Sequence, residues 1–191
     1  MPTLRLAQDP DADALLARDP LALLVGMLLD QQVPLEWAFT APHRLAERLG
    51  RPSLDAAEIA ALDPDAFVKL MAGPPALHRY PAAMAGRVQA LCREVADRYG
   101  GDAAALWRTA ESGTELLARL RALPGFGEQK ARIFVALLGK QLGVRPPGWR
   151  EAAGPYGEEG SRRSAADVTD AESLAEVRAF KKAAKQAARG G

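Results

Sequence analysis

The chain has 191 residues and a formal net charge of +1, with alanine and leucine dominant and β-branched residues sparse. That length supports one good core or two small lobes sharing a cleft, and near-neutral charge does not by itself mark a nucleic-acid binder, so a polyanionic partner would need a local basic surface. The single cysteine, Cys92, excludes an internal disulfide, a four-cysteine zinc site and a four-cysteine iron–sulfur cluster. Its place in the run Met84, Val88, Leu91, Cys92, Val95, Tyr99 marks a buried helix stripe. No alternating run of strand length stands out, so the expected class is all-α. The longest apolar run, Leu21 to Leu29, is too short to span a bilayer, and no signal peptide is recognised, so a cytoplasmic protein without a membrane partner is expected.

In chain order, residues 1 to 18 read as a polar, aspartate-rich lead-in. Asp19-Pro20 then supplies an N-cap and a first-turn proline for a helix through Leu29 that is apolar nearly all round and therefore central. It ends abruptly in Asp30-Gln31-Gln32-Val33-Pro34. A helix over Trp37 to Leu49 stops at Gly50, Ser53 and Asp63-Pro64 open two more, and Leu77-His78-Arg79-Tyr80-Pro81 leads into a long helix closed by Gly100-Gly101. His78 and Arg79 sit where they can meet a phosphate or simply form a solvated turn. Trp107 reads as core beside a short helix.

The stretch Leu123-Pro124-Gly125-Phe126-Gly127-Glu128-Gln129-Lys130-Ala131 joins two helix-periodic segments. Upstream, Thr114 caps a short helix to Arg121, which Leu123 and Pro124 stop. Gly125 and Gly127 let the backbone approach a partner while Phe126 turns inward as a plug. Downstream, Gln129 to Leu142 carries Ile133, Phe134, Leu137 and Leu138 at helical spacing. A turn feeding a helix N-terminus presents free N–H groups with the positive end of the helix dipole behind them, an arrangement suited to an anion, and Lys130 and Arg132 add formal charge.

This stretch resembles the helix-hairpin-helix of the HhH-GPD superfamily of base-excision DNA glycosylases, whose hairpin reads LPGxGxKxA or close to it. The resemblance covers about residues 19 to 143. It implies a two-lobed helical fold with the helix-hairpin-helix at about 115–142. Residues 1–143 are then the helical core, and the composition beyond gives a Pro/Gly-rich loop over 144–166 and a basic C-terminal helix over 167–191 packing on the same domain. It also implies that the amides of Gly125 and Gly127, with Lys130 and Arg132, grip a phosphate of double-stranded DNA. In that family the apolar helix corresponding to LLVGMLLDQQV ends in a Gln-Gln pair, one glutamine of which fills the space of the flipped nucleotide. Gln31 and Gln32 match it, about ninety residues before the hairpin. The chain departs from the cluster-bearing members in having one cysteine, so no metal or other cofactor is expected, and a monomer is.

From Gly143 the chain is rich in Pro, Gly and charge up to Ser164, which reads as a long loop. Thr169 or Asp170 caps a last helix that turns basic from Lys181. Cleavage of an N-glycosidic bond requires a flipped base, a water and a carboxylate. The family's aspartate lies roughly twenty residues after the hairpin, and the chain holds no acid at Pro147, Gly148 or Trp149. Either an insertion has moved the acid to Asp167, or Asp167 only caps a helix and the acid is lost. Asp30 and Glu151 are weaker candidates. Some members place a Schiff-base lysine at the seventh position of the hairpin; here that position is Gln129, so strand cutting is not expected. The expected function is a monofunctional DNA N-glycosylase in base-excision repair; the alternatives are a non-catalytic DNA-binding or damage-recognition protein that has lost the acid, and a helical protein-interaction module.

Overall fold

A computed structural model describes residues 3–190. The chain is all-helical, and among the described residues there is no strand. The helices are α1 (Pro10–Arg18), α2 (Pro20–Leu29), α3 (Leu35–Leu49), α4 (Ala56–Ala61), α5 (Pro64–Ala72), α6 (Pro81–Tyr99), α7 (Ala105–Arg108), α8 (Gly113–Arg121), α9 (Glu128–Gln141), α10 (Trp149–Ala153) and α11 (Ala171–Arg189). Two 3-10 turns, Gly154–Gly157 and Ala165–Asp167, lie between α10 and α11.

One local device starts three of these helices. Asp9-Pro10, Asp19-Pro20 and Asp63-Pro64 each place a carboxylate at the N-cap and a proline at the first helical position, satisfying orphan amides while fixing φ where no N–H is needed. Asp19 goes further: besides the amides of Leu21 and Ala22 it accepts from Leu54 N–H at 2.8 Å, tying α2 to the segment before α4. Every residue of α2 from Leu21 to Leu29 is buried, and α1, α3 and α6 pack around it. The second group of helices is α8, α9 and α10, packed on one another and on the two 3-10 turns.

The secondary structure departs from the sequence reading in several places. Ser53 does not open α4, whose cap is Asp55, accepting from Glu58 N–H at 2.9 Å. Residues 3–18 are no polar lead-in, because Leu4, Leu6, Leu15 and Leu16 are buried and α1 is a capped helix. The cap of α8 is Ser112, which accepts from Glu115 N–H at 3.0 Å, not Thr114. The 144–166 segment is not a structureless loop. It forms α10 and a 3-10 turn, seated because α8 and α9 each present a glycine. A Cβ at Gly139 would lie 2.3 Å from the Trp149 ring, and one at Gly113 would lie 2.4 Å from the Gly148 carbonyl. Trp149 is held there with the Arg145 and Arg150 guanidinium groups 5.9 and 4.6 Å from its ring. No helix among the described residues is long and apolar enough to cross a membrane.

Candidate functional site

The hairpin is built by its own sequence. Phe126 N–H donates to the Leu123 carbonyl at 3.1 Å, with Pro124 at the second position and Gly125 at the third with φ +81°. This is a type II turn, which needs a left-handed third residue. Phe126 is 4 % exposed and stands edge-on to Phe134 at 6.0 Å, so the turn is plugged into the core. Gly127 is the exposed N-cap of α9 and supplies no side-chain cap. The amides of the first turn of α9 therefore face outward with the helix dipole behind them. A Cβ at Gly127 would meet nothing within 4 Å, so the ground in front of these amides is open.

The charges around this opening are already engaged. Glu128 pairs with Arg121 and Arg132, both at 2.8 Å, and Arg132 also donates to the Ala152 carbonyl at 2.8 Å. Gln129 donates to the Tyr156 hydroxyl at 3.0 Å. Arg132 and Gln129 thus brace the hairpin against the α10 region, and the hairpin presents outward its backbone amides beside the ion-paired, half-exposed Glu128 carboxylate.

Lys130 turns inward. Its Nζ donates to the Leu28 carbonyl at 3.0 Å and reaches the Asp30 carbonyl at 3.5 Å, capping the C-terminus of α2. Gly125 lies against the same residue: a Cβ there would stand 3.0 Å from Leu28 Cδ1. The hairpin and the glutamine turn are thereby in direct contact. Burial brings the Lys130 ammonium down to about 8, although Asp30 partly opposes this. Asp30, its side chain 9 % exposed, is raised above the ordinary carboxylate range by burial, with Lys181 Nζ at 3.9 Å and Lys130 pulling the other way.

The turn Asp30–Pro34 is held from a third side by His78. This residue is fully buried; its Nε2 lies 3.1 Å from the Leu29 carbonyl and 2.9 Å from that of Gln31, and its Nδ1 accepts from Tyr80 N–H at 3.0 Å. Two carbonyls at Nε2 and an N–H at Nδ1 require the neutral ring protonated on Nε2. Burial holds its pKa below the ordinary histidine value. Gln31 is folded back, donating to the Leu28 carbonyl at 2.8 Å and accepting from Arg87 at 2.8 Å. Gln32 is exposed with φ +59°, a conformation that costs a non-glycine residue about 1 kcal/mol or more. Of the two glutamines, Gln32 is the one projected. Two exposed aromatic residues lie nearby in the chain, Trp37 in the first turn of α3 and Tyr80 two residues past His78.

Asp167 is elsewhere. It pairs with Lys140 at 2.6 Å and accepts from Ser161 Oγ at 2.9 Å and Arg163 N–H at 2.8 Å, with Ser164 N–H at 3.4 Å. Ser164 and Asp167 form a reciprocal capping box. Lys140 stands ten residues along α9 from Lys130, a separation of about 15 Å at 1.5 Å per residue. Asp167 is thus tied to the opposite end of α9 from the hairpin. Residues the sequence reading did not assign to the turn are His78, Arg87 and, from α11, Arg178 and Lys181, which pair with Glu36 and Asp30.

Among the described residues no group of three or more His, Cys, Asp or Glu side chains is placed to hold a metal ion. Compared with family models, curated proteins and solved structures, the chain matches none.

Proposed function

We propose that this chain is a duplex-DNA-binding, damage-recognition protein with a two-lobed HhH-GPD-like arrangement, gripping one phosphate at the α9 N-terminus and placing Gln32 against the adjoining base step. The observation that carries this reading is the meeting of two motifs far apart in sequence: Lys130 bonds to Leu28 at 3.0 Å across 102 positions. The phosphate ligands on this reading are the open amides behind Gly127, with Gly125 shaping the turn and Lys130 acting as a buried strut. Trp37 and Tyr80 are the aromatic surfaces available to an unstacked base.

The test is Gly127→Asp. Gly127 has φ −79° and ψ −177°, extended backbone open to any residue, and its Cβ position is free. The aspartate would cap α9 itself, so the variant folds at least as well as wild type while its carboxylate fills the anion site. Affinity for a fluorescein-labelled duplex is expected to fall at least tenfold. Unchanged binding sinks the proposal.

Base excision is a second reading, favoured by one observation: Asp30 puts a carboxylate in the glutamine turn, where Asp167 is not. On this reading Asp30→Asn removes base release from a modified duplex. Release that survives it excludes Asp30 as the acid.

A further inference from the structure

The C-terminal half of α11 has no structural employment that its sequence explains. The buried residues of this helix are Ser173, Leu174 and Val177, and every residue from Arg178 to Gly190 is exposed. That stretch contains Arg178, Lys181, Lys182, Lys185 and Arg189 and no acidic residue. At 100° per residue all of these cations fall within an arc of about 100°, while Phe180, Ala183, Ala184 and Ala187 occupy the opposite side. A polar helix extending without packing is marginal by itself, and five like charges on one stripe repel one another.

The stripe has a fixed direction. Its first two members pair at and beside the glutamine turn, Lys181 with Asp30 at 3.9 Å and Arg178 with Glu36 in the first turn of α3. The remaining ion pair of α11 among the described residues, Glu176 with Arg162 at 2.9 Å, lies upstream. Lys182, Lys185 and Arg189 therefore continue, unpaired with any described carboxylate, from the turn that carries Gln32. From Lys182 to Arg189 the helix rises about 10 Å, roughly three charge steps of one DNA strand at 3.4 Å each. The reverse side offers a single large apolar residue, Phe180, with the Arg163 guanidinium 5.2 Å from its ring, which is far too little apolar surface for a helix that lies in a membrane interface.

We propose that α11 is a backbone clamp for nucleic acid: Lys181 anchors it to the glutamine turn and Arg178 to the start of α3, and Lys182, Lys185 and Arg189 follow the sugar-phosphate strand beyond the step contacted by Gln32. This rests on the DNA-binding reading above and extends the bound stretch past the hairpin.

The experiment is a salt titration of full-length protein on a fluorescein-labelled 25-base-pair duplex, comparing wild type, Lys182→Gln/Lys185→Gln/Arg189→Gln and Gly127→Asp. Glutamine keeps helix propensity, and circular dichroism of the triple variant checks that α11 remains. The clamp predicts that the slope of log K against log[salt] drops by about 2.7, or 0.9 per lost phosphate contact, and that Lys182→Arg/Lys185→Arg retains the wild-type slope. If the triple variant keeps the wild-type slope while Gly127→Asp loses binding, the clamp is wrong and the hairpin reading stands. If wild type shows no salt-dependent binding to the duplex, both fall. Tighter binding of wild type to phosphatidylserine vesicles than to the duplex, lost in the triple variant, overturns the clamp in favour of a membrane surface.

Discussion

Asp167→Asn separates a structural carboxylate from a catalytic one. The wild-type side chain is 3 % exposed and that of Lys140 14 % exposed, with 2.6 Å between them. Asparagine keeps one acceptor oxygen but turns the other into an NH2 group, which must then face either the Lys140 ammonium or the amides of Arg163 and Ser164. Both are donors. Removing one partner of a buried pair costs about 3–5 kcal/mol, and the residual solvent access of Lys140 puts this case at the low end, about 3 kcal/mol. In urea, with a slope of roughly 2 kcal/mol/M for a protein of this size, the midpoint should fall by about 1.5 M at unchanged slope. Lys140→Met should cost a similar amount, because it leaves the Asp167 carboxylate, the more buried of the two charges, with only the Ser161 hydroxyl and the Arg163 and Ser164 amides as donors. The double variant should be far less destabilised than the sum of the singles, since the two changes break one interaction. Duplex binding per folded molecule should not change. A variant within about 0.5 kcal/mol of wild type that has lost base release would refute this reasoning and return Asp167 to the role of acid.

Other perturbations test the turn and the packing that supports it. Lys130 has a folded pKa of about 8 against 10.5 for the free side chain. Between those values the unfolded chain holds a proton the native state has shed, so stability rises with pH across that window, by on the order of 3 kcal/mol relative to Lys130→Met; parallel urea curves for the two proteins from pH 7.5 to 10.5 would contradict the buried position. For His78 the folded pKa is depressed below the free value of 6.5, so the unfolded chain takes up the proton first as pH falls and stability is lost below that value. His78→Gln should lessen this loss, and thermal melts at pH 5 and 7 measure it. Gly139→Ala drives a Cβ into the Trp149 ring and should cost about 1–3 kcal/mol, with a red shift of tryptophan emission as α10 lifts; an unshifted spectrum would mean that α10 is not seated there.

How much of this was legible differs from one element to the next. The Asp-Pro caps, the all-apolar α2 and the hairpin turn are local, because each is specified within four or five residues by proline φ, a carboxylate acceptor or a glycine at positive φ. The aspartates of the lead-in look solvated in the sequence, whereas Asp13 is 2 % exposed and accepts from Ala7 N–H at 2.8 Å. Composition could not show that an acid is used inward. In the 144–166 segment the case is the converse: Pro and Gly suggest a loop, but Gly148-Trp149 is seated by Gly113 and Gly139 from two other helices, and neither contact is local. Asp167 carried its own warning, since Ser164-Ala165-Ala166-Asp167 has the spacing of a capping box.

The inward turn of Lys130 is written in its helical register. Its position precedes Phe134, Leu137 and Leu138 by four, seven and eight residues, which is the register of the buried stripe of α9. A cation on that stripe must either swing out or find acceptors inside, and an apolar helix ending in a polar turn has unpaired carbonyls to offer. The glutamine turn supplies those acceptors, at Leu28 and Asp30. The Lys130 charge fastens the two motifs together, which leaves the backbone amides as the anion-binding groups of the hairpin's outward face. Any phosphate bound there would be held by dipoles at the α9 N-terminus. Its affinity should therefore respond to Gly127→Asp far more than to any neutral substitution of Lys130 that preserves the fold.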